Sequence, residues 1–114
     1  MPTITTKTTV VPLGPIEQFP AGFGREVLAA GCRIAVFRTT DGGLYALENR
    51  TPHPKGGTLA EAIVSGHFIY CPIRDLKISL ETGLVQAPDK GEVWKFEIRE
   101  TKDGNVELAL AIAL

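Results

Sequence analysis

The sequence predicts an all-β protein, built as an antiparallel sandwich or partly closed barrel. Short runs rich in β-branched and aromatic residues recur along the chain, and turn-forming residues separate them at regular spacing. No stretch sustains the period of a long helix, and no segment repeats. At 114 residues the chain is one domain, large enough to bury a single core without a metal or disulfide to brace it.

Taken in order, residues 1–9 are Thr-rich and polar and read as a flexible arm, leaving one domain over 10–114. Thr9 to Pro12 reads as a first strand. A connection punctuated by Pro12, Gly14, Pro15, Pro20, Gly22 and Gly24 follows, with one helical turn at Ile16 to Gln18. Glu26 to Ala29 resumes as strand and Gly31 turns the chain. Cys32 to Arg38 then pairs with Leu44 to Glu48 across Asp41-Gly42, the clearest hairpin signal in the sequence. Ile63-Val64 and Phe68 to Tyr70 flank a tight Ser65-Gly66 turn, and Ile78 to Leu80 is a short strand ended by Thr82-Gly83. Beyond Gly91 the pattern alternates, with Trp94, Phe96 and Ile98 on one face and Lys95, Glu97 and Arg99 on the other. Asp103-Gly104 turns into Val106 to Leu110, read as an interior closing strand. Residues 111–114 stay apolar, and their packing is left open.

Composition excludes several classes. A hydrophobic content of 44% and mean hydropathy of +0.09 point away from disorder. No apolar run is long enough to cross a bilayer, and the N-terminus lacks a secretory pattern, so no membrane is expected and the protein reads as cytoplasmic. A net charge of −1 leaves no basic footprint for nucleic acid. The cysteines, Cys32 and Cys71, are not expected to pair in a reducing compartment, and Cys32 reads as a buried, inert thiol. No paired carboxylates, nucleophile elbow or phosphate-cradling glycine loop is present, and Gly22-Phe23-Gly24 is too short for a dinucleotide fingerprint.

The distinctive stretch runs from Asn49 to Gly83. It holds two Pro-centred motifs, Thr51-Pro52-His53 and Cys71-Pro72-Ile73-Arg74. With Phe37-Arg38, Gly43-Leu44-Tyr45-Ala46-Leu47, Asn49-Arg50, Gly56-Gly57, Leu59, Gly66, Leu80 and Thr82-Gly83, they form an ordered series. That series resembles the Rieske domain superfamily. Within it the chain is most similar to the small-subunit family of NAD(P)H-dependent assimilatory nitrite reductases, over Val10 to Leu110.

The resemblance implies a Rieske-type fold with two ligand-type loops. A Rieske cluster takes Cys-x-His from one loop and Cys-x-x-His from the other. Here His53 and Cys71 stand at ligand positions, whereas Thr51 replaces the first cysteine and Arg74 the second histidine. An alcohol gives up its proton only at great cost, and a guanidinium is always charged and has no acceptor lone pair. No [2Fe–2S] cluster or other cofactor is therefore expected, and such a cluster would mean the positions are misassigned. His53 and Cys71 alone are weak candidates for a metal, since structural zinc normally takes four ligands. His53 is instead expected to bond a backbone carbonyl and Cys71 to pack as a small hydrophobe.

Arg74 is expected to cross the former cluster cavity toward Asp75, Glu61 or Asp89, with Thr51 bonding backbone nearby. The resemblance places Ala87-Pro88 in a third, covering loop. His67, beside Gly66, is expected to be exposed and uninvolved. By resemblance the protein is a non-catalytic accessory subunit. Its partner would be a large subunit carrying flavin, an iron–sulfur cluster and sirohaem, which reduces nitrite to ammonium. The alternatives are a Rieske-type ferredoxin serving an oxygenase, and a free-standing interaction module.

Overall fold

Turns at glycine divide the chain into short strands, and every neighbouring pair runs antiparallel. The computed structural model describes residues 6–29, 31–50, 58–71, 76–87 and 90–113, with side chains described between residues 9 and 110. The strands are β1 (Thr6–Pro15), β2 (Phe23–Ala29), β3 (Cys32–Arg38), β4 (Leu44–Glu48), β5 (Ile63–Ser65), β6 (Phe68–Cys71), β7 (Leu76–Ser79), β8 (Lys95–Glu100) and β9 (Asn105–Ala113). Among the described residues a single 3-10 turn spans Ile16–Gln18, as the proline and glycine punctuation suggested. Among the described residues no helix is long and apolar enough to cross a membrane.

A six-stranded sheet has the order β1-β9-β8-β4-β3-β2, and a three-stranded sheet the order β5-β6-β7. The all-β antiparallel expectation holds. The larger sheet is curled, and Ile16 and Phe19 after β1 share one core with Ile34 and Val36 of β3.

The β3–β4 hairpin sits at the centre because it is apolar on both faces. Ile34, Val36 and Ala46 point into the core of the curled sheet, with Val106, Leu108 and Leu110 of β9. Ala35, Phe37 and Leu47 point the other way and meet Leu59, Ile69, Ile78 and Leu80 of the smaller unit. Burial of each large side chain in these cores contributes about 1.5–3 kcal/mol. Alternating residues of one hairpin thus glue two layers together.

Two glycines set close approaches. A Cβ on Gly24 in β2 would lie 2.4 Å from the Ala60 carbonyl oxygen and 2.5 Å from the Phe37 ring. Gly83 has φ +77°, and a Cβ there would lie 2.4 Å from the Val93 carbonyl oxygen. Neither position has room for a side chain.

Some sequence expectations need correction. β1 begins at Thr6, so residues 6–9 are strand and not arm; each pairs with β9, from Thr6↔Ala113 to Thr9↔Leu110. β7 runs Leu76–Ser79, earlier than the expected Ile78 to Leu80, because Cys71 and Leu76 already pair across the connection. Trp94 does not join Phe96 and Ile98 against the core. It precedes β8 and is 68% exposed, although its carbonyl still accepts the Glu48 amide of β4 at 2.8 Å. Cys32 is exposed and not buried, because it opens β3 beside the Gly31 turn and the core begins only at Ile34.

Candidate functional site

The two ligand-type loops hang from strand ends that the cores hold in place. The first follows Glu48 at the end of β4 and Asn49, and the described residues resume at Thr58. The second joins β6 to β7, whose facing ends Cys71 and Leu76 are paired. Of the degenerate Rieske positions, Thr51, His53 and Arg74 lie outside the described residues, as do Asp75, Asp89 and Pro88. Cys71 is described. It is 6% exposed, forms no disulfide, and packs in the inter-sheet core with Leu59, Leu76 and Ile78. Glu61, one carboxylate offered to Arg74, accepts the Thr58 hydroxyl at 2.7 Å. That bond, ahead of any charge effect, holds the Glu61 carboxyl below its ordinary range.

The base of the first loop is closed by Asn49, which is 4% exposed. Its Oδ1 accepts the amides of Leu59 at 2.7 Å and Ala60 at 2.9 Å. Its Nδ2 donates to the Glu26 carboxylate on β2. The same carboxylate oxygen accepts Arg33 Nε at 3.1 Å and Nη2 at 2.8 Å from β3. The Asn49 amide donates to the Arg33 carbonyl at 3.0 Å. A primary amide suits this place because it offers donor and acceptor on one planar group. It fixes where the first loop starts and where it ends. Beside it lies a hollow of about 540 Å³ lined by Arg33, Glu48, Asn49, Arg50 and Thr58.

A second polar cluster was not expected. His67 is engaged by residues from two other turns and from β4, contrary to its reading as an uninvolved surface residue. Its Nε2 lies 2.9 Å from Asp41 Oδ2 and its Nδ1 2.9 Å from Tyr45 Oη. Glu81 Oε1 is 3.2 Å from Nδ1. Its side chain is 40% exposed, so water still reaches it. The Thr39 hydroxyl and then the Gly43 amide, with His67 adding less, hold the Asp41 carboxyl below its ordinary range. Partial burial, followed by the charges of Glu81 and Asp41, pushes the Tyr45 phenol above its own. Linear spacing hides this cluster, since Asp41 and Tyr45 lie 26 and 22 residues before His67.

With this geometry, comparison with known proteins is informative. The Rieske-like [2Fe–2S] domain family matches residues 9–109. No curated protein sequence matches the chain. Among solved structures, the chain resembles a Mycobacterium tuberculosis protein described as an NADH-dependent nitrite reductase small subunit. The TM-score is 0.83 at 23% identity, covering 95% of this chain and 99% of that one. It also resembles NirD of E. coli, with TM-score 0.79, 21% identity and coverage of 91% and 98%. The ferredoxin of carbazole 1,9a-dioxygenase from Nocardioides aromaticivorans is similar too, with TM-score 0.77, 19% identity and coverage of 88% and 96%. At these identities the likeness concerns the fold.

Proposed function

The chain belongs to the Rieske-like [2Fe–2S] domain family, and we propose that it is a cluster-free member acting as the non-catalytic small subunit of an NAD(P)H-dependent nitrite reductase. One observation supports the reading. The family match runs over residues 9–109, and by the resemblance Thr51 and Arg74 stand where one thiolate and one imidazole would be. The donor set does not fit the cluster. Each iron would keep one protein ligand, and the guanidinium would add a positive charge where iron must sit.

A fold kept without its redox centre suits docking to, or stabilising, a partner. In this reading the partner is the large flavin-, iron–sulfur- and sirohaem-containing subunit of nitrate assimilation, and the complex is cytoplasmic. Support comes from near full-length likeness to the mycobacterial and E. coli proteins. Ferredoxins share the fold almost as closely, but an electron carrier requires the complete ligand set.

The two readings differ in colour. Affinity purification from the native host, with iron and sulfide analysis, should give a colourless chain that co-elutes with a flavin- and sirohaem-containing partner. A red-brown chain with stoichiometric iron and sulfide would establish the electron carrier instead.

A further inference from the structure

Three turns from different parts of the fold converge on one imidazole. His67 follows Gly66 in the β5–β6 turn of the small sheet, whereas Asp41 lies in the β3–β4 hairpin turn of the large one. Tyr45 comes from β4, and Glu81 from the turn after β7. Lys95 of β8 donates to the Glu81 carbonyl, so that turn is held from its other side as well. The charged and titratable groups around the ring are therefore Asp41, Tyr45 and Glu81, with Lys95 one contact further out.

A shared metal does not explain the arrangement. The ring nitrogens face different carboxylates, and among the described residues no group of His, Cys, Asp or Glu is placed to hold an ion. Proton chemistry does explain it. Asp41 can accept Nε2–H whether the ring is neutral or charged. Nδ1 is different, because it faces both a hydroxyl at 2.9 Å and a carboxylate at 3.2 Å. The Tyr45 hydroxyl can donate to a bare Nδ1. A carboxylate can only accept, so Glu81 engages once Nδ1 carries a proton.

We propose that His67 is a proton-operated clasp between the two sheets. The neutral ring, as the Nε2–H tautomer, joins the small sheet to the hairpin through Asp41 and Tyr45. On protonation Nδ1 becomes a donor to the Glu81 carboxylate already 3.2 Å away, which ties the 80–83 turn to the ring. That turn continues into the rest of the fold, because Val93 donates to the Gly83 carbonyl at 2.8 Å just before β8. Protonation of one surface ring thus tightens the junction of hairpin, small sheet and β8. The clasp is independent of the partner assignment and stands or falls separately from it.

The test uses the whole chain labelled with ¹⁵N, followed by NMR from about pH 8 to about pH 5.5, the span over which imidazoles change charge. His67→Gln assigns the ring signals, since the chain contains 2 histidines. The neutral ring should show the Nε2–H tautomer. The amides of Glu81, Thr82 and Gly83 should then shift with the ring's own midpoint. Glu81→Gln should abolish that movement. The Asp41 to Gly43 amides should still follow the ring in this variant. A neutral Nδ1–H tautomer, amides at 81–83 that ignore the ring, or a Glu81→Gln variant that behaves like wild type would each overturn the clasp.

Discussion

Asn49 and His67 each tie together segments far apart in sequence, but they do so in different solvents. Asn49 is 4% exposed and joins β2, β3 and the 58–62 turn through an amide with all its partners inside the protein. The His67 side chain is 40% exposed and joins its turns through groups that water can equally well satisfy. A buried polar group has no alternative partner, so removing it leaves the others unsatisfied. An exposed one exchanges its partners for water at little cost. The first arrangement fixes a position, and the second can respond to conditions.

Three experiments bear on this contrast. Asn49→Ala should have the largest effect, since it strands the buried Leu59 and Ala60 amides together, whereas the Glu26 carboxylate keeps Arg33. A loss of about 2–4 kcal/mol is expected, read from urea unfolding. A loss no greater than that of a surface substitution would mean water enters the loop base freely. Gln at position 67 should cost less than about 1 kcal/mol at neutral pH, after allowance for solvent screening. A cost matching that of Asn49→Ala would erase the distinction.

The smallest effect concerns acid. The Asp41 carboxyl is depressed in the fold, first by the Thr39 hydroxyl. Its contribution to stability is therefore present above the unfolded-state value near 3.8 and is lost as pH falls through the lower folded value. Asp41→Asn should flatten the decline of the unfolding midpoint below about pH 4. An unaltered acid limb would show that Asp41 is not one of the groups responsible.

The fold was largely legible because its signals are local. Cys32–Arg38 and Leu44–Glu48 fall where the residue types and Asp41-Gly42 placed them. Errors arose where neighbours in space decide. Trp94 continues the alternation of Phe96 and Ile98, but its side chain finds no core beyond the start of β8 and is exposed. Residues 6–9 look too polar for a core strand, yet β9 supplies their hydrogen bonds regardless of side chain.

The site was legible in part. Cys71 packs as a small hydrophobe as expected, whereas Thr51, His53 and Arg74 lie outside the described residues. Asn49 belonged to the ordered motif series, but its partners on β2 and β3 appear only when the strands assemble. The cluster around His67 left no trace in linear spacing. Only a polar residue beside a tight turn, facing a second turn that begins with aspartate, hinted at it.

The outermost strand of the large sheet has a kinetic consequence. β1 is stitched to β9 from Thr6↔Ala113 to Pro15↔Asn105, so residues translated early find their hydrogen bonds only in residues translated much later. Until β9 emerges from the ribosome, β1 has no neighbour and the edge of β8 lies open. Closure of so long a loop is entropically slow. Folding should therefore end with a late zippering of β9 between two waiting strands, and crowding nascent chains together in that interval invites pairing between molecules.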